Sequence, residues 1–336
     1  MADSATAVET PVNVPVPESR SADTATRMVF IGLGVVLLIA PFVLYPVFLM
    51  KVLCFALFAC AFNLLLGYGG LLSFGHAAYF GMASYVSAYT AKFWGVTPEI
   101  SILLGTITGA ALGLVFGLLA IRRLGIYFSM ITLALAQMAY FFSLQTPRFT
   151  GGEDGIQAVP RGNLFGVLSL ADDRTLYYVV AAIFFAGLLL IYRIINSPFG
   201  QVLKAIRDNE PRAMSLGYRT NQYKLMVFVL STTLTGLAGA TKAIVFQLAS
   251  LTDVHWSMSG EVVLMTLVGG MGTVFGPIVG ALVIVTMENY LATLGAWVTV
   301  VQGVIFVLCV LLFRRGIVGE LQALFGGRQA AGSSGH

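Results

Sequence analysis

Charge is scarce in this chain of 336 residues: only 10% are Asp, Glu, Lys or Arg, against roughly 25% in an ordinary soluble domain. So few charges cannot cover the two soluble domains that this length would otherwise allow. Apolar residues make up 58% of the chain, and the mean hydropathy is +0.88. The composition therefore predicts an all-α polytopic membrane protein.

The signatures of catalysis and cofactor binding are also missing. The three cysteines, Cys54, Cys60 and Cys309, lie in apolar runs without the spacing of a disulfide framework or a metal site. The chain has no G-x-x-x-x-G-K-[ST] phosphate loop, so it cannot hydrolyse ATP alone. It also lacks H-E-x-x-H and a Ser/His/Asp set. We expect no enzyme, no metal and no cofactor in this chain.

The apolar runs predict about ten transmembrane helices, each near the length of roughly 20 residues that a crossing needs. These segments are 28–44, 47–67, 71–91, 98–121, 124–146, 174–195, 223–248, 259–271, 277–294 and 296–314. Gly and Pro interrupt the chain between 259–271 and 277–294, which are either two crossings or one re-entrant hairpin.

The positions of Lys and Arg predict the orientation in the membrane. Ten crossings with both termini in the cytoplasm place 13 of the 19 Lys and Arg residues on that side. The net charge of +4 is thereby explained without nucleic acid. We expect a disordered cytoplasmic tail over 1–27, a transmembrane domain over 28–315, and a cytoplasmic C-terminal tail over 316–336.

The predicted cytoplasmic segment 196–222 carries its own structure. Asn209 can cap a helix, Pro211 fits a first turn, and Gly217 can end the helix in a left-handed conformation. A short helix from Glu210 to Leu216, flanked by bases, suits docking into the groove of another protein. The alternative is a basic loop that lies on anionic lipid headgroups.

A polar stripe is predicted in the span that follows Gly69 and Gly70, which permit a break in the helix. Ser73, His76 and Tyr79 follow at three-residue spacing and would share one helix face. These side chains either line a translocation path or form hydrogen bonds between helices.

Other polar and glycine positions leave similar alternatives. Asn63 and Gln137 are lone polar residues inside spans, suited to a solute or to an interhelical hydrogen bond. Glu261, at the mouth of a span, suits an ammonium group, a partner's basic face or the headgroup level. The glycines from Gly269 onward form a turn or a gate hinge, and 267–281 echoes 67–81 in its Gly-Gly and Phe-Gly pairs.

Several of these segments resemble one family. They are NLLLGYGGLLSFGHAAYFGMASY (63–85), TGGEDGI (150–156), SPFGQVLKAIRDNE (197–210) and LVGGMGTVFGPIVGA (267–281). Together they resemble LivM-type permeases, the membrane subunits of branched-chain amino acid ABC transporters. Segment 196–222 also resembles the coupling segment of ABC-importer permeases, although Pro211-Arg212 replaces its Ala-Ala pair and Gly217 lies one residue farther on.

The resemblance implies a permease domain in the bacterial inner membrane that imports Leu, Ile or Val. Its partners would be a homologous second permease (LivH-like), two ATP-binding subunits that hold ATP and Mg, a periplasmic binding protein and membrane lipid. The 150–156 loop either meets that binding protein or crosses the surface. Alternatives are urea, amides or aromatic acids as solutes, or an ATP-independent transporter or channel.

The resemblance also sorts the candidate residues by role. The translocation path would hold Asn63, Ser73, His76, Tyr79 and Glu261. Coupling to the ATPase would involve Arg207, Glu210, Ala213 and Gly217. The hinges or gates would be Gly69, Gly70, Gly269 and Gly270.

Overall fold

The computed structural model describes residues 19–123, 125–164, 166, 168–291, 297, 300–301, 303–304, 307, 311 and 316–320. The chain forms two compact units, 1–40 and 41–336. In chain order the helices are α1 (Ser19–Val43), α2 (Pro46–Asn63), α3 (His76–Phe93), α4 (Pro98–Ala120), α5 (Ile126–Gln145), α6 (Pro147–Thr150), α7 (Asp173–Ile195), α8 (Pro198–Asp208), α9 (Glu210–Ser215), α10 (Thr220–Phe246), α11 (Trp256–Gly269) and α12 (Gly276–Leu291).

The helical, polytopic architecture agrees with the prediction from composition. Among the described residues, five helices are long and apolar enough to cross a membrane, the first of them continuing from α2 to Tyr68. Two further apolar helices, Met28–Val43 and Gly276–Leu291, are shorter. The count of ten crossings stays a prediction, and much of the predicted span 296–314 lies outside the described residues.

Parts of the two predicted tails are helical in the structure. Helix α1 begins at Ser19, inside the segment 1–27 that we expected to be disordered, while residues 1–18 lie outside the described part. At the other end, residues 316–320 are helical, and the remainder of the predicted tail is not described.

Local sequence explains where many helices begin. Pro occupies the first turn of α2, α4, α8 and α9, where its missing N–H costs no hydrogen bond. Asp172 caps α7 by accepting a hydrogen bond from the Thr175 N–H, and Ser197 caps α8 through the Gly200 N–H. These caps satisfy backbone donors that the first helical turn leaves free.

Helices α2 and α10 form the centre of the second unit. Both are mostly buried, whereas α4, α5 and α7 expose much of their apolar surface. Helix α10 packs against α2, α3 and α4. The exposed apolar surface of α4, α5 and α7 is the surface expected to face lipid.

A row of glycines brings α4 close to α10. Gly105, Gly109, Gly113 and Gly117 recur every four residues and are all buried. A Cβ atom on Gly109 would lie 2.8 Å from the Thr232 carbonyl oxygen and 2.9 Å from Gly236 Cα. Such small-residue stripes let membrane helices pack backbone against backbone.

The two ends of the second unit differ in structure. The basic end carries α8, α9 and the turn at Arg122–Arg123. The hairpin end carries two short antiparallel strand pairs: β1 (Ile156–Gln157) with β4 (Leu248–Ala249), and β2 (Asn163–Leu164) with β3 (Leu168–Ser169). These strands were not predicted, because two-residue pairings leave no periodic sequence pattern.

Candidate functional site

The first break, residues 64–75, interrupts the chain between α2 and α3. Helix α2 widens into a π-helical segment, Leu64–Tyr68, and α3 begins only at His76. Gly70 has φ = +68°, a conformation that favours glycine. π-helical turns of this kind occur frequently at functional sites.

The second break, residues 270–275, separates α11 from α12. Gly270 and Gly272 have φ values of +118° and +74°. A Cβ atom on Gly269 would collide with the Gly276 carbonyl group. The glycines therefore form a tight turn here, and whether Gly269 and Gly270 also act as a hinge stays a prediction.

Asn63 joins the two breaks. Its side-chain Nδ2 donates to the Thr273 carbonyl oxygen at 2.8 Å, and its Oδ1 accepts from the Gly272 N–H at 3.0 Å. A Cβ atom on Gly67 would lie 2.6 Å from Gly272 N. The buried amide of Asn63 thus uses a donor and an acceptor to hold one break against the other, so the segments that echo each other in sequence are also in contact.

Helix α8 contacts the first break through two basic side chains. Arg207 Nη1 donates to the Gly67 carbonyl oxygen at 2.5 Å. Its remaining guanidinium nitrogens bond Asp208 Oδ1 at 3.0 and 3.1 Å. Lys204 Nζ lies 5.7 Å from the centre of the Tyr68 ring. Arg207 therefore points toward the membrane-embedded helices as well as lying in the predicted coupling segment.

The short helix of the coupling segment agrees closely with its prediction. Helix α9 spans Glu210–Ser215, one residue shorter than expected, and Asn209 caps it through the Arg212 N–H at 3.1 Å. Gly217 ends it with φ = +89°. The helix that precedes it, α8, was not predicted. A cleft of about 340 Å³ lies beside α9, lined in part by Asp208, Arg212 and Tyr218.

Two predicted coupling residues of α9 have internal contacts. Glu210 Oε1 accepts a hydrogen bond from Lys224 Nζ at 2.6 Å, in an ion pair where the lysine is almost fully buried. Ala213 is buried as well. The exposed surface of this region includes the apolar residues Met214, Leu216 and Tyr218 beside the exposed bases Arg212 and Arg219. Met214, Leu216 and Tyr218 are therefore more accessible to a partner than Glu210 and Ala213 are.

Ser73, His76 and Tyr79 do not share a helix face as predicted. Ser73 lies in the first break, where its Oγ accepts a hydrogen bond from the Gly75 N–H at 3.2 Å, and only His76 and Tyr79 belong to α3. The glycines upstream and the turn at 74–75 delay the start of the helix. All three side chains are fully buried.

His76 and Tyr79 lie in an aromatic cluster. The His76 ring contacts Phe62, Tyr79 and Phe228, with centroid distances of 4.9, 5.7 and 6.1 Å. His76 Nε2 lies 2.9 Å from Ser231 Oγ, which donates in turn to the Ala61 carbonyl oxygen. In this conformation the pair packs α3 against α2 and α10, and its exposure to solute stays a prediction.

Glu261 lies in a small charged cluster. It interacts with Glu288 of α12 and with Lys51 of α2, and Lys51 Nζ lies 3.5 Å from Glu288 Oε2. Three helices therefore bring two carboxylates and one ammonium group together. The cluster places carboxyl oxygens and an ammonium group side by side.

The glycine-rich loop 150–156 packs against the chain after α10. Gly151, Gly152 and Gly155 all have positive φ, and the loop ends in the pairing of Ile156 with Ala249. Its acids, Glu153 and Asp154, are exposed. The loop therefore covers the hairpin end and also presents an acidic surface there, so both predicted roles remain open.

Comparison with known proteins identifies the family. The model of the family described as "Branched-chain amino acid transport system / permease component" matches residues 46–310. The chain belongs to this family. The structural features described above lie almost entirely within that range.

The curated relatives of this permease family member differ in the solutes that they are named for. LivM of Salmonella typhimurium is 25% identical over 76% of this chain, and LivM of Escherichia coli is 24% identical over the same share. The ribose import permease protein RbsC of Bacillus subtilis is 29% identical over 66% of this chain and 70% of its own length. The chain spans 65% of the length of each LivM protein. No solved structure gives a significant match.

Within this permease family member, the candidate residues lie at the two breaks, in the Glu261 cluster, in the aromatic cluster of His76 and Tyr79, and in and beside α9. The two breaks bring together Asn63, Ser73, Arg207 and the glycines at 69, 70, 269 and 270. Glu261 belongs to a separate cluster with Glu288 and Lys51. Gln137 of α5 is half-buried and has no described role at any of these places.

Sequence reasoning missed a buried ion pair in this permease family member. Lys242 Nζ donates to both carboxylate oxygens of Asp253, at 2.8 and 2.6 Å, and both residues are buried. The available signal was the charge of Lys242 inside the predicted span 223–248, since a charge there requires a partner. The glycine row of α4 was likewise visible in sequence as a four-residue repeat.

Proposed function

We propose that this chain is the membrane subunit of an ABC importer that carries a branched-chain amino acid across the bacterial inner membrane. The observation that supports it best is family membership over residues 46–310. The structured basic segment α8–α9, which is bonded to a helix break, adds support. An importer needs such a connection if events in the cytoplasm are to change the membrane domain.

The basic end would face the cytoplasm, with both termini on that side, in keeping with the bias of Lys and Arg toward cytoplasmic loops. Two ATP-binding subunits, which would hold ATP and Mg, would contact Met214 of α9 and Leu216 and Tyr218 just after it, since these apolar side chains are exposed. A periplasmic binding protein would meet the hairpin end at the acidic loop 150–156, and a homologous LivH-like permease would complete the path.

For the path itself, the Glu261 cluster favours an amino acid. An amino acid carries an ammonium and a carboxylate group, and the cluster offers charges of both signs through Glu288, Glu261 and Lys51. The second candidate solute is a pentose, because RbsC and the xylose permease XylH of Haemophilus influenzae also match this chain. A pentose has no charge to match the cluster and would use it only through hydrogen bonds to its hydroxyl groups.

The experiment reconstitutes the chain in proteoliposomes with the second permease, the ATP-binding subunits and the binding protein from the same source. Uptake of radiolabelled L-leucine and D-ribose is measured with ATP on the side of the liposome membrane that the ATP-binding subunits occupy. We expect L-leucine uptake that requires both ATP and the binding protein. Replacing Glu261 by Gln should lower uptake about 10-fold, because one charge-assisted contact is worth about 1.5 kcal/mol.

One control variant and two alternative uptake results test this proposal. Asp172→Asn makes the same acid-to-amide change at the exposed cap of α7, where asparagine still accepts the Thr175 N–H, and should change uptake less than Glu261→Gln does. Uptake of D-ribose alone would support the second candidate. Uptake that persists with catalytically disabled ATP-binding subunits would contradict an ABC importer and support an ATP-independent transporter.

A further inference from the structure

Arg207 occupies a junction between the coupling segment and the membrane helices. It lies at the end of α8, one residue before the Asp208 that closes this helix, and α9 follows directly. Its guanidinium group reaches away from α9 to the Gly67 carbonyl oxygen in the π-helical segment. A single side chain thus connects the predicted partner-binding segment to the point where α2 stops being an α-helix.

The Arg207 side chain lies close to the backbone of both breaks. A Cβ atom on Gly70 would lie 2.7 Å from Arg207 Cγ, so the side chain packs directly on the glycine backbone. Arg207 Nη1 would also lie 3.9 Å from a Cβ atom on Gly272, in the second break. Asp208 holds the other face of the guanidinium group at 3.0 Å. The aliphatic part of the arginine is therefore packed against the breaks, while 39% of its side chain is exposed.

The connection extends from Gly67 to the second break. Gly67 lies against Gly272, and Asn63 bonds both Gly272 and Thr273. Lys204, one turn before Arg207 on the same face of α8, lies over the Tyr68 ring. A displacement of α8 would pull on Gly67 and Tyr68 of the first break and, through Asn63, on the turn between α11 and α12.

We propose that Arg207 is the positioning residue that links movement of the coupling segment to both helix breaks, and that its bond to the Gly67 carbonyl group transmits the ATP-driven change. This inference rests on the proposed function. It assigns Arg207 a role inside the membrane subunit instead of a contact with the ATP-binding subunit. Coupling of two sites requires a physical element whose state both sites bias, and the Arg207–Gly67–Asn63 chain of contacts is such an element.

The test compares Arg207→Ala and Arg207→Lys in the reconstituted complex. Lysine keeps one donor for Gly67 but cannot hold Gly67 and Asp208 in the fork geometry of arginine. For Arg207→Ala we expect assembly and continued ATP hydrolysis, with solute uptake reduced at least about 10-fold, equivalent to 1.4 kcal/mol of lost coupling. Arg207→Lys should recover part of the uptake. A residue that only stabilised the fold would lower hydrolysis and uptake together.

A second measurement follows the turn itself. Met271, in the second break, is half-exposed. The rate of maleimide labelling of Met271→Cys therefore reports movement of this turn. The native cysteines are replaced by alanine in this experiment. We expect the rate to differ between nucleotide-free and ATP-bound complexes, and this difference to fall below about twofold with Arg207→Ala. Arg123→Ala, the same charge change on an exposed turn at the basic end, should preserve both the uptake and the labelling difference.

Several results would overturn the inference. Wild-type uptake and an unchanged labelling difference in Arg207→Ala would show that the contact transmits nothing. Loss of both Arg207 variants from the membrane would show a role in folding alone. If the parent complex imported neither L-leucine nor D-ribose with ATP, the proposed function would fail instead, and this outcome is recorded before any variant is compared.

Discussion

At the scale of single residues, two buried polar side chains, Asn63 and Lys242, each make more than one hydrogen bond. Asn63 satisfies one donor and one acceptor across two helix breaks, and Lys242 directs its ammonium group at both oxygens of Asp253. Asp253 also accepts the Ser250 N–H at 3.2 Å, so it closes the turn that follows α10. The backbone partners of Asn63 lie more than 200 positions away and Asp253 lies 11 positions after Lys242, so neither contact follows from local sequence.

The Lys242–Asp253 pair should stabilise the folded protein only as a pair. Lys242→Met or Asp253→Asn alone should lower the free energy of unfolding by about 3–5 kcal/mol, because each leaves a buried charge without its partner. The double variant should recover much of that loss. Circular dichroism monitors the unfolding of the three variants in mixed detergent micelles and gives the free energy of unfolding of each.

The more accessible pair Lys51–Glu288 provides the comparison for that measurement. Its charges lie 3.5 Å apart, with side chains 30% and 22% exposed, so breaking it should cost less than breaking the buried pair does. If Lys242→Met were as stable as Lys51→Met, the buried pair would not have the structural importance inferred from its geometry.

At the scale of helices, the packing of α4 against α10 depends on glycine. Gly109→Val would place a branched side chain where a single Cβ atom already lies 2.8 Å from the Thr232 carbonyl oxygen. We expect a loss of about 1–3 kcal/mol from overpacking, or more where the helices separate. This loss of stability is measured by thermal unfolding in detergent, monitored by size-exclusion chromatography. Ala111→Val, on the exposed face of the same helix, should unfold like the parent; equal melting of both variants would contradict tight packing at Gly109.

Helix ends and breaks are also where sequence and structure can best be compared. Asn209, Pro211 and Gly217 predicted α9 because caps act within a few residues. The glycines predicted both breaks for the same local reason. The placement of Ser73 was wrong because the extent of a break depends on tertiary contacts, such as the hydrogen bond from the Phe74 N–H to Thr132.

Contacts between distant segments were beyond prediction from one sequence. Asn63 was identified as a lone polar residue in a span, but its partners lie 209 and 210 positions away. Arg207 was assigned to coupling by resemblance, yet its direction toward Gly67 follows only from how α8 packs against the π-helical segment Leu64–Tyr68. Hydrophobic patterning describes the exposed and buried faces of helices, and it does not specify which helices meet.

At the scale of the whole molecule, the second unit exposes apolar side chains at its basic end and buries most of the predicted path residues. The basic end carries the exposed apolar residues in and just after α9, while Ser73, His76 and Tyr79 are sealed among α2, α3 and α10. An importer must open its path to each side in turn. A structure in which the predicted path residues are buried is therefore one state of the proposed cycle, and the other state must expose some of them.

This reasoning predicts state-dependent labelling of the buried cluster. Single cysteines at Ser73, His76 and Tyr79, in a background without native cysteines, should react slowly with an impermeant maleimide when the complex lacks nucleotide. At least one should react about 10-fold faster in a state trapped with ATP, if the path opens beside it. Arg122→Cys and Glu153→Cys, both exposed at opposite ends, serve as reporters of the two membrane faces and should label from opposite sides. If all three positions stay unreactive in every nucleotide state while the reporters label, Ser73, His76 and Tyr79 only pack helices together. The path then lies elsewhere, and the Glu261 cluster is the next candidate.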